Sequence, residues 1–178
     1  MTLPTLHGRA AWVFDEANFD VDRILGFEVM REHDAATLAR GAMKSFDPGF
    51  AEAVRLGDLL IGGPNFGFGH PHGPPMAAMR RLGVAAVIAE SFAPLYAMGE
   101  FASGFPQITC PGIRQVVRRW DVLEVDWACH SVSNLTRGGE IRFLPLSSHE
   151  QNLVKAGGLF NLLRSAPKPS RRSAIDDK

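Results

Sequence analysis

A glycine-rich loop between two apolar segments constrains the fold of this chain more than any other feature. Residues 59–61 (Leu-Leu-Ile) predict a buried strand, and a glycine-rich loop at 62–75 follows it directly. Residues 76–82 then predict a helix, and residues 84–89 predict a second buried strand. A strand, a loop, a helix and another strand in this order predict a parallel pair of strands joined by a crossover.

The segments on either side of this unit complete an α/β domain. Strands and helices alternate in the middle of the chain, whereas the last two strands follow each other without a helix between them. A turn at 136–139 is expected to join those two strands directly. The pattern therefore predicts a mixed sheet covered by helices. The other predicted strands are 8–14, 105–109, 122–127 and 140–144, and the other predicted helices are 34–43, 47–54, 91–103, 151–156 (capped by Ser148) and 159–164.

Composition limits the number of domains and the classes of partner. The 178 residues suit one domain, which we place at 1–164, and the polar segment 165–178 is expected to be a disordered tail. Nineteen basic and nineteen acidic residues cancel, so no overall field favours nucleic acid or an anionic membrane. The first eight residues lack a signal-peptide pattern, and the longest apolar runs are too short to span a bilayer. We therefore expect a cytoplasmic protein.

The two cysteines, Cys110 and Cys129, limit the cofactors that this chain can hold. An iron–sulfur cluster needs three or four thiolates, so any cluster is expected to be held by another chain. Two cysteines are also too few for a disulfide framework, which fits a reducing compartment. We expect both to be packing residues, since a buried free cysteine behaves as a small hydrophobe.

The glycine-rich loop is the first candidate for a binding site. Glycines let the backbone approach a ligand closely, and free N–H groups at the start of the following helix favour an anion. We therefore place a substrate carboxylate at Asn65, Gly67, Phe68 and Gly69. The loop is not a phosphate-binding Walker loop, and His72 stands where a dinucleotide-binding fingerprint needs its third glycine. A tight turn that merely connects strand to helix remains an alternative.

His70 and His72 add acid–base capacity to this loop. Each imidazole could serve as a general base, as a hydrogen-bond donor to an anion or as a metal ligand. A metal site needs a third ligand, and the other histidines considered are not obviously near in sequence. We therefore predict no metal on this chain. Those other histidines are His33, His130 and His149.

Residues 57–69 and 82–93 resemble the signature of the small subunits of 3-isopropylmalate dehydratase, a family similar to the C-terminal swivelling domain of aconitase. The resemblance runs in order from about residue 8 to 163. It implies a swivelling β/β/α domain and a hydro-lyase activity, in a heterodimer with a large subunit that carries a [4Fe–4S] cluster. Further matching segments are Asn18-Phe19-Asp20-Val21-Asp22, Asp47-Pro48-Gly49-Phe50, Gly104-Phe105-Pro106, Cys110-Pro111, Asn134-Leu135-Thr136 and Ala156-Gly157-Gly158-Leu159.

The chain departs from the family pattern where the family places its chemistry. The family loop continues Gly-Ser-Ser-Arg-Glu-His, in which the first serine is the expected base and the arginine grips a carboxylate. Here His70 stands at that serine position and His72 at that arginine position. Pro94 replaces a second family arginine, and Ala97-Met98-Gly99 replaces a Phe-Arg-Asn segment. A histidine cannot match the bidentate grip of arginine, so we do not expect 3-isopropylmalate itself to be the substrate, although the family belongs to leucine biosynthesis.

The resemblance implies a division of labour between two subunits. The open iron of the large subunit's cluster would bind the leaving hydroxyl, and a base from the small subunit would take a proton from the carbon beside a carboxylate. We expect His70 to be that base and His72 to contribute charge or a hydrogen bond to a small hydroxy acid. The loop N–H groups would hold the carboxylate or its oxyanion.

The segment around Asp20 and Asp22 leaves two interpretations open. It lines the cleft or faces the partner, or it is a polar turn in which one aspartate caps backbone N–H groups.

Two other functions compete with a hydro-lyase subunit. One is a non-catalytic binding or regulatory subunit that kept the fold and lost the serine and arginine chemistry. The other is a stand-alone metal-dependent enzyme that uses His70 and His72.

Overall fold

A computed structural model describes residues 3–31, 34–70 and 72–165 of the chain. The strands are β1 (Leu6–Val13), β2 (Leu59–Gly62), β3 (Ala86–Ala89), β4 (Gln107–Thr109), β5 (Val122–Asp126), β6 (Ser131–Asn134) and β7 (Glu140–Arg142). The helices are α1 (Gly26–Val29), α2 (Ala35–Gly41), α3 (Phe50–Ala53), α4 (Gly73–Leu82), α5 (Pro94–Ala102), α6 (Ile113–Val116), α7 (Ser148–Ala156) and α8 (Leu159–Ser165), and a 3-10 helix spans Val21–Ile24.

One seven-stranded sheet organises the fold, in the order β4-β3-β2-β1-β5-β6-β7. Strands β1 to β4 pair in parallel, and β5, β6 and β7 continue the sheet in antiparallel pairs from the other side of β1. The predicted mixed sheet and the predicted parallel pair β2–β3 are confirmed. In the parallel half, β1, β2 and β3 all end at the same edge, and the loops that leave them lie together there.

The prediction for the last strands is wrong in one respect. The chain does not pass directly from β5 to β7, because β6 lies between them and pairs antiparallel with both. Two turns, at 127–130 and 135–139, replace the single predicted turn. The segment Ser131–Asn134 (Ser-Val-Ser-Asn) is short and mostly polar, so it lacks the apolar run that predicts a strand.

Helix boundaries differ from the predictions by a few residues. Helix α7 begins earlier than expected, with Ser147 rather than Ser148 as its N-cap and Glu150 completing a capping box. Helix α8 ends at Ser165, the residue at which the polar tail was expected to start, and the predicted disorder of 166–178 falls outside the described residues. In the described part of the chain, no helix is both long and apolar enough to cross a membrane.

The two faces of the sheet carry separate apolar cores, as the alternation of a strand requires. On β2, Leu60 packs into one core, whereas Leu59 and Ile61 pack into the other. The first core extends beneath the loops at the carboxyl edge through a cluster of phenylalanines. The Phe19 ring lies 4.1 Å from that of Phe14 and 5.5 Å from that of Phe66, measured between centroids. These ring contacts attach the loops to the first core.

Candidate functional site

Three loops meet at the carboxyl edge of the parallel strands and are tied together by polar side chains. The loop after β2 contributes Asn65, whose backbone N–H donates to Ser91 Oγ at 2.8 Å, in the loop after β3. The Asn65 Nδ2 donates to Asn18 Oδ1 at 2.8 Å, in the loop after β1. The backbone N–H of Asn18 in turn donates to the carbonyl oxygen of Pro64, also at 2.8 Å. The three loops therefore form one connected surface.

Gly67 is required at its position in the loop after β2 for two reasons. Its φ is +82°, in the left-handed region that favours glycine, and a Cβ built on it would lie 2.1 Å from Cγ of Tyr96. The N–H groups of Gly67 and Phe68 donate to the carbonyl oxygen of Phe19, at 2.9 and 3.2 Å. The loop is thus pressed between α5 and the segment that follows β1.

These hydrogen bonds leave fewer backbone N–H groups available to a ligand than the sequence led us to expect. The N–H groups of Asn65, Gly67 and Phe68 already have acceptors within the chain, so they do not point freely toward a substrate carboxylate. Among the residues that the structure describes, no acceptor faces the N–H of Gly69 or of His70. The Phe68 ring is half exposed, at 51%. Of the four residues predicted to bind a substrate carboxylate, only Gly69 therefore keeps a backbone N–H without an acceptor among the described residues.

His72 is held by a buried carboxylate, that of Asp22. His72 Nδ1 lies 2.6 Å from Asp22 Oδ2, and its backbone N–H donates to Asp22 Oδ1 at 3.0 Å. The Asp22 side chain is 11% exposed, whereas that of His72 is 52% exposed. One carboxylate thus fixes both the backbone and the ring of His72, and the rest of the imidazole faces outward.

His70 lies beside His72 on the open side of the loop. The two ring centroids are 5.6 Å apart and the rings are nearly perpendicular. His70 is exposed. Within the described part of the chain, its ring has no hydrogen-bond partner. Both imidazoles are therefore available at one surface, and only His72 is oriented by a second side chain.

Asp20 takes the capping role of the polar turn, one of the two interpretations that the sequence left open. Asp20 Oδ1 accepts the N–H of Asp22 at 3.0 Å and caps the 3-10 helix, as a polar turn would. Asp22 instead contacts His72 at the candidate site.

The N-terminus of α4 has fewer free backbone donors than expected. The helix begins at Gly73, three residues before the predicted start, and Pro74 and Pro75 occupy its first turn. Proline has no N–H, so two of the first helical residues donate nothing. The His72 N–H at the cap is already bonded to Asp22. A carboxylate of the chain itself thus occupies the position where an external anion was expected.

A cavity of about 180 Å³ opens beside His72, between α4 and α5. Its lining includes Arg80 and Glu100, which form a hydrogen-bonded ion pair. Burial raises the pKa of Glu100, and Arg80 only partly offsets this rise. Among the described residues that line the cavity, Arg80 is the only guanidinium, and it is paired. The cavity therefore offers no free arginine for a substrate carboxylate.

Comparisons with known proteins agree with the sequence resemblance. The chain is 33% identical to 3-isopropylmalate dehydratase small subunit 1 of Methanopyrus kandleri over 159 residues, which cover 89% of this chain and 92% of that protein. It is 36% identical to the small subunit of Pyrobaculum calidifontis over 160 residues, covering 90% and 98%. The chain belongs to the family of 3-isopropylmalate dehydratase small subunits.

Two further comparisons support this family membership. The isopropylmalate/citramalate isomerase small subunit of Methanocaldococcus jannaschii is 33% identical over 153 residues, covering 86% of this chain and 90% of that protein. The crystal structure of 3-isopropylmalate dehydratase from the same organism matches with a TM-score of 0.82 and 27% identity, over 90% of this chain and 94% of that one. No family model matches the chain.

The family membership confirms the predicted fold class and the prediction of a hydro-lyase small subunit. It supports that interpretation over a non-catalytic subunit that merely kept the fold. The assignments of His70, His72, Asn65, Gly67, Phe68 and Gly69 stay predictions.

The cysteines of this chain do not fit a cluster. Cys110 is buried, its Sγ donates to the carbonyl oxygen of Arg142 at 3.6 Å, and burial raises the pKa of its thiol to about 12. Cys129 is exposed in the turn between β5 and β6. The described residues contain no group of three or more metal-ligating side chains.

Three side chains organise the site through contacts that the sequence did not reveal, although Asp22 was already a candidate to line the cleft. Asp22 orients His72, Ser91 anchors Asn65, and the Tyr96 ring supports Gly67. Asp22 and Ser91 both lie in segments that carried the family resemblance, which was the available signal. Their contacts span 50 and 26 residues of sequence, so no local pattern could reveal them.

Proposed function

We propose that this chain supplies the acid–base residues of a hydro-lyase active site that a large subunit completes. The observation that carries the proposal is the position of His70 and His72. They lie together on the loop at the carboxyl edge, where the family resemblance leads one to expect a catalytic serine and a carboxylate-binding arginine. Residues of this type at this place suit proton transfer from a carbon acid.

The partner that we propose is a large aconitase-like subunit that holds a [4Fe–4S] cluster. Two observations support this: the relatives are named as small subunits, and the two cysteines here do not fit a cluster. The cluster would provide Lewis-acid activation of a leaving hydroxyl. We place the assembled enzyme in the cytoplasm, a reducing compartment that suits a chain whose two cysteines are free.

The substrate that we propose is a small hydroxy acid other than 3-isopropylmalate. Relatives are named for isopropylmalate, and one also for citramalate. In this chain Pro94 and Met98 stand where the resemblance leads one to expect arginines, and Arg80 in the adjacent cavity is paired with Glu100. A cleft face with fewer free guanidinium groups suits a substrate with fewer carboxylates to bind on this side.

The residues of this chain would act in four ways. An imidazole of His70 or His72 accepts the proton from the carbon beside the carboxylate. The N–H groups of Gly69 and His70, which have no acceptor among the described residues, would donate to the oxyanion that develops, and the exposed Phe68 would cover the apolar side of the substrate. Asn65 and Gly67 shape the loop rather than touch the substrate, because their N–H groups are bonded within the chain.

Reconstitution with a large subunit tests this proposal. The chain is mixed with a cluster-loaded large subunit from the same genome, and dehydration of a panel of 2- and 3-hydroxy acids is followed by the ultraviolet absorbance of the conjugated product. We expect turnover with at least one panel member other than 3-isopropylmalate.

Single alanine substitutions at the two histidines provide the second arm of this experiment. Loss of a positioned base costs about a hundredfold to ten-thousandfold in rate. We therefore expect a loss of this size for at least one of His70→Ala and His72→Ala, with subunit association unchanged by gel filtration. Wild-type rates for both variants would rule out the acid–base role.

A further inference from the structure

The contact between Asp22 and His72 distinguishes the two histidines. Asp22 Oδ2 lies 2.6 Å from Nδ1 of His72, and no other described side chain contacts either nitrogen of that ring. An ionised carboxylate can only accept a hydrogen bond, so the proton of the neutral imidazole must sit on Nδ1. The lone pair then lies on Nε2, the nitrogen on the far side of the ring from Asp22.

The Asp22 carboxylate that orients His72 is itself buried and held by hydrogen bonds. Its side chain is 11% exposed, and its second oxygen, Oδ1, accepts the backbone N–H of His72 at 3.0 Å. Its own backbone N–H donates to Asp20 at the start of the 3-10 helix. The carboxylate is therefore fixed at both oxygens and at its backbone, and the imidazole that it orients is half exposed.

We infer that Asp22 is a positioning residue that fixes His72 in the Nδ1–H tautomer and thereby makes His72 Nε2 the proton acceptor of this subunit. The inference rests on the function proposed above and decides which of the two histidines takes the proton. It departs from the sequence expectation that assigned this role to His70, which has no such partner among the described residues. In the step itself the C–H bond of the substrate breaks, its proton passes to Nε2, and its electron pair stays on the substrate. The resulting imidazolium lies against the Asp22 carboxylate.

The substitution Asp22→Asn tests the inference with little change in shape. The asparagine oxygen can still accept the backbone N–H of His72. In that orientation the amide NH₂ points toward Nδ1. A donor at that position favours the other tautomer, with the proton on Nε2, and so removes the acceptor. In a serine protease, the same replacement behind a catalytic histidine lowers kcat by about ten-thousandfold.

The first readout is the tautomer, which needs neither partner nor substrate. The full chain is labelled with ¹⁵N-histidine, and its ring nitrogens are recorded at about pH 8.5, well above the ordinary histidine pKa of about 6.5. The His72→Gln variant assigns the signals. We expect the Nδ1–H pattern for His72 in the wild type, its loss in Asp22→Asn, and its retention in the matched control Asp20→Asn, whose carboxylate caps the 3-10 helix and does not touch the ring.

The second readout is turnover in the reconstituted two-subunit enzyme. We expect Asp22→Asn to lower kcat by about a hundredfold to ten-thousandfold, as for a lost base, with KM changed much less. The inference alone is overturned if wild-type His72 carries its proton on Nε2, or if Asp22→Asn keeps wild-type kcat while His72→Ala loses it. Wild-type rates in both His70→Ala and His72→Ala would overturn the proposed function, and the inference with it.

Discussion

Replacing Gly67 by alanine should destabilise the chain strongly, whereas the same change at Gly73 should not. Both glycines belong to the segment that carries the two histidines. Gly67 has a φ of +82°, and its added Cβ would lie 2.1 Å from Cγ and 2.5 Å from Cβ of Tyr96. At Gly73, the first residue of α4, the added Cβ meets no described atom within 4 Å.

The magnitude at Gly67 follows from two costs. A left-handed backbone costs a non-glycine residue about 1–2 kcal/mol, and overpacking costs about 1–3 kcal/mol. The clash involves the root of the Tyr96 side chain, which cannot rotate away, so α5 has to shift. Gly67→Ala should therefore lose about 2–5 kcal/mol, or roughly 4–20 °C in Tm for a chain of this size. Gly73→Ala should change stability by no more than about 1 kcal/mol, because the helix propensity of alanine is offset by the restriction that Pro74 places on the residue before it.

Urea denaturation followed by circular dichroism measures both variants against the wild type. The comparison is matched, since the two variants add the same methyl group to the same segment. Equal unfolding free energies for Gly67→Ala and the wild type would refute the reasoning. They would mean that the loop relaxes freely away from α5 and is not a rigid support for His70 and His72.

Two further predictions concern buried polar groups. Tyr96→Phe should leave stability unchanged or raise it by about 1 kcal/mol in urea denaturation, because the buried Tyr96 hydroxyl has no partner among the described residues; a loss above about 1 kcal/mol would indicate a hidden partner. Burial alone would raise the pKa of Asp121, but hydrogen bonds from Asn134, Arg118 and Arg137 outweigh it and hold this pKa below the ordinary 3.8. The Asp121 carboxylate therefore stabilises the fold above pH 3.8, and this stability is lost as the pH falls from 3.8 through the lower folded-state pKa. Asp121→Asn should cost about 1–3 kcal/mol at pH 7, and its urea midpoint should fall less than that of the wild type between pH 4.5 and pH 3; parallel curves would contradict this assignment.

The parts of the fold that could be predicted from sequence are those with an apolar signal. The strands β2 and β3 could be predicted as buried apolar runs, because a strand covered on both faces is continuously apolar. Strand β6 lacks this signal, since its buried Asn134 is satisfied by hydrogen bonds to the carbonyl of Val116 and to Asp121 rather than by apolar contact. A buried polar residue is recognised only when its distant partners are known.

At the candidate site too, features that lie in one continuous segment could be predicted, whereas contacts between distant residues could not. The loop, its glycines and its two histidines are visible in sequence, because they form one continuous segment. The ranking of His70 over His72 rested on the family position of a serine, and it had no physical support of its own. The residue that separates the two histidines is Asp22, fifty positions away, and only the folded chain brings its carboxylate within 2.6 Å of an imidazole.

The charge of the Asp22–His72 pair bears on which subunit binds the carboxylates of the substrate. With a neutral imidazole the pair carries one negative charge, so it does not attract a substrate carboxylate before reaction. In the step that we propose, Nε2 takes the proton, the pair becomes neutral, and its imidazolium would face the substrate on which negative charge develops. This side of the cleft would then favour the reacting state more than the bound ground state, which is the difference that accelerates a reaction. Binding of the ground-state carboxylates then has to come from groups outside this pair, and because Arg80 is committed to Glu100, the large subunit is where we expect those groups to lie.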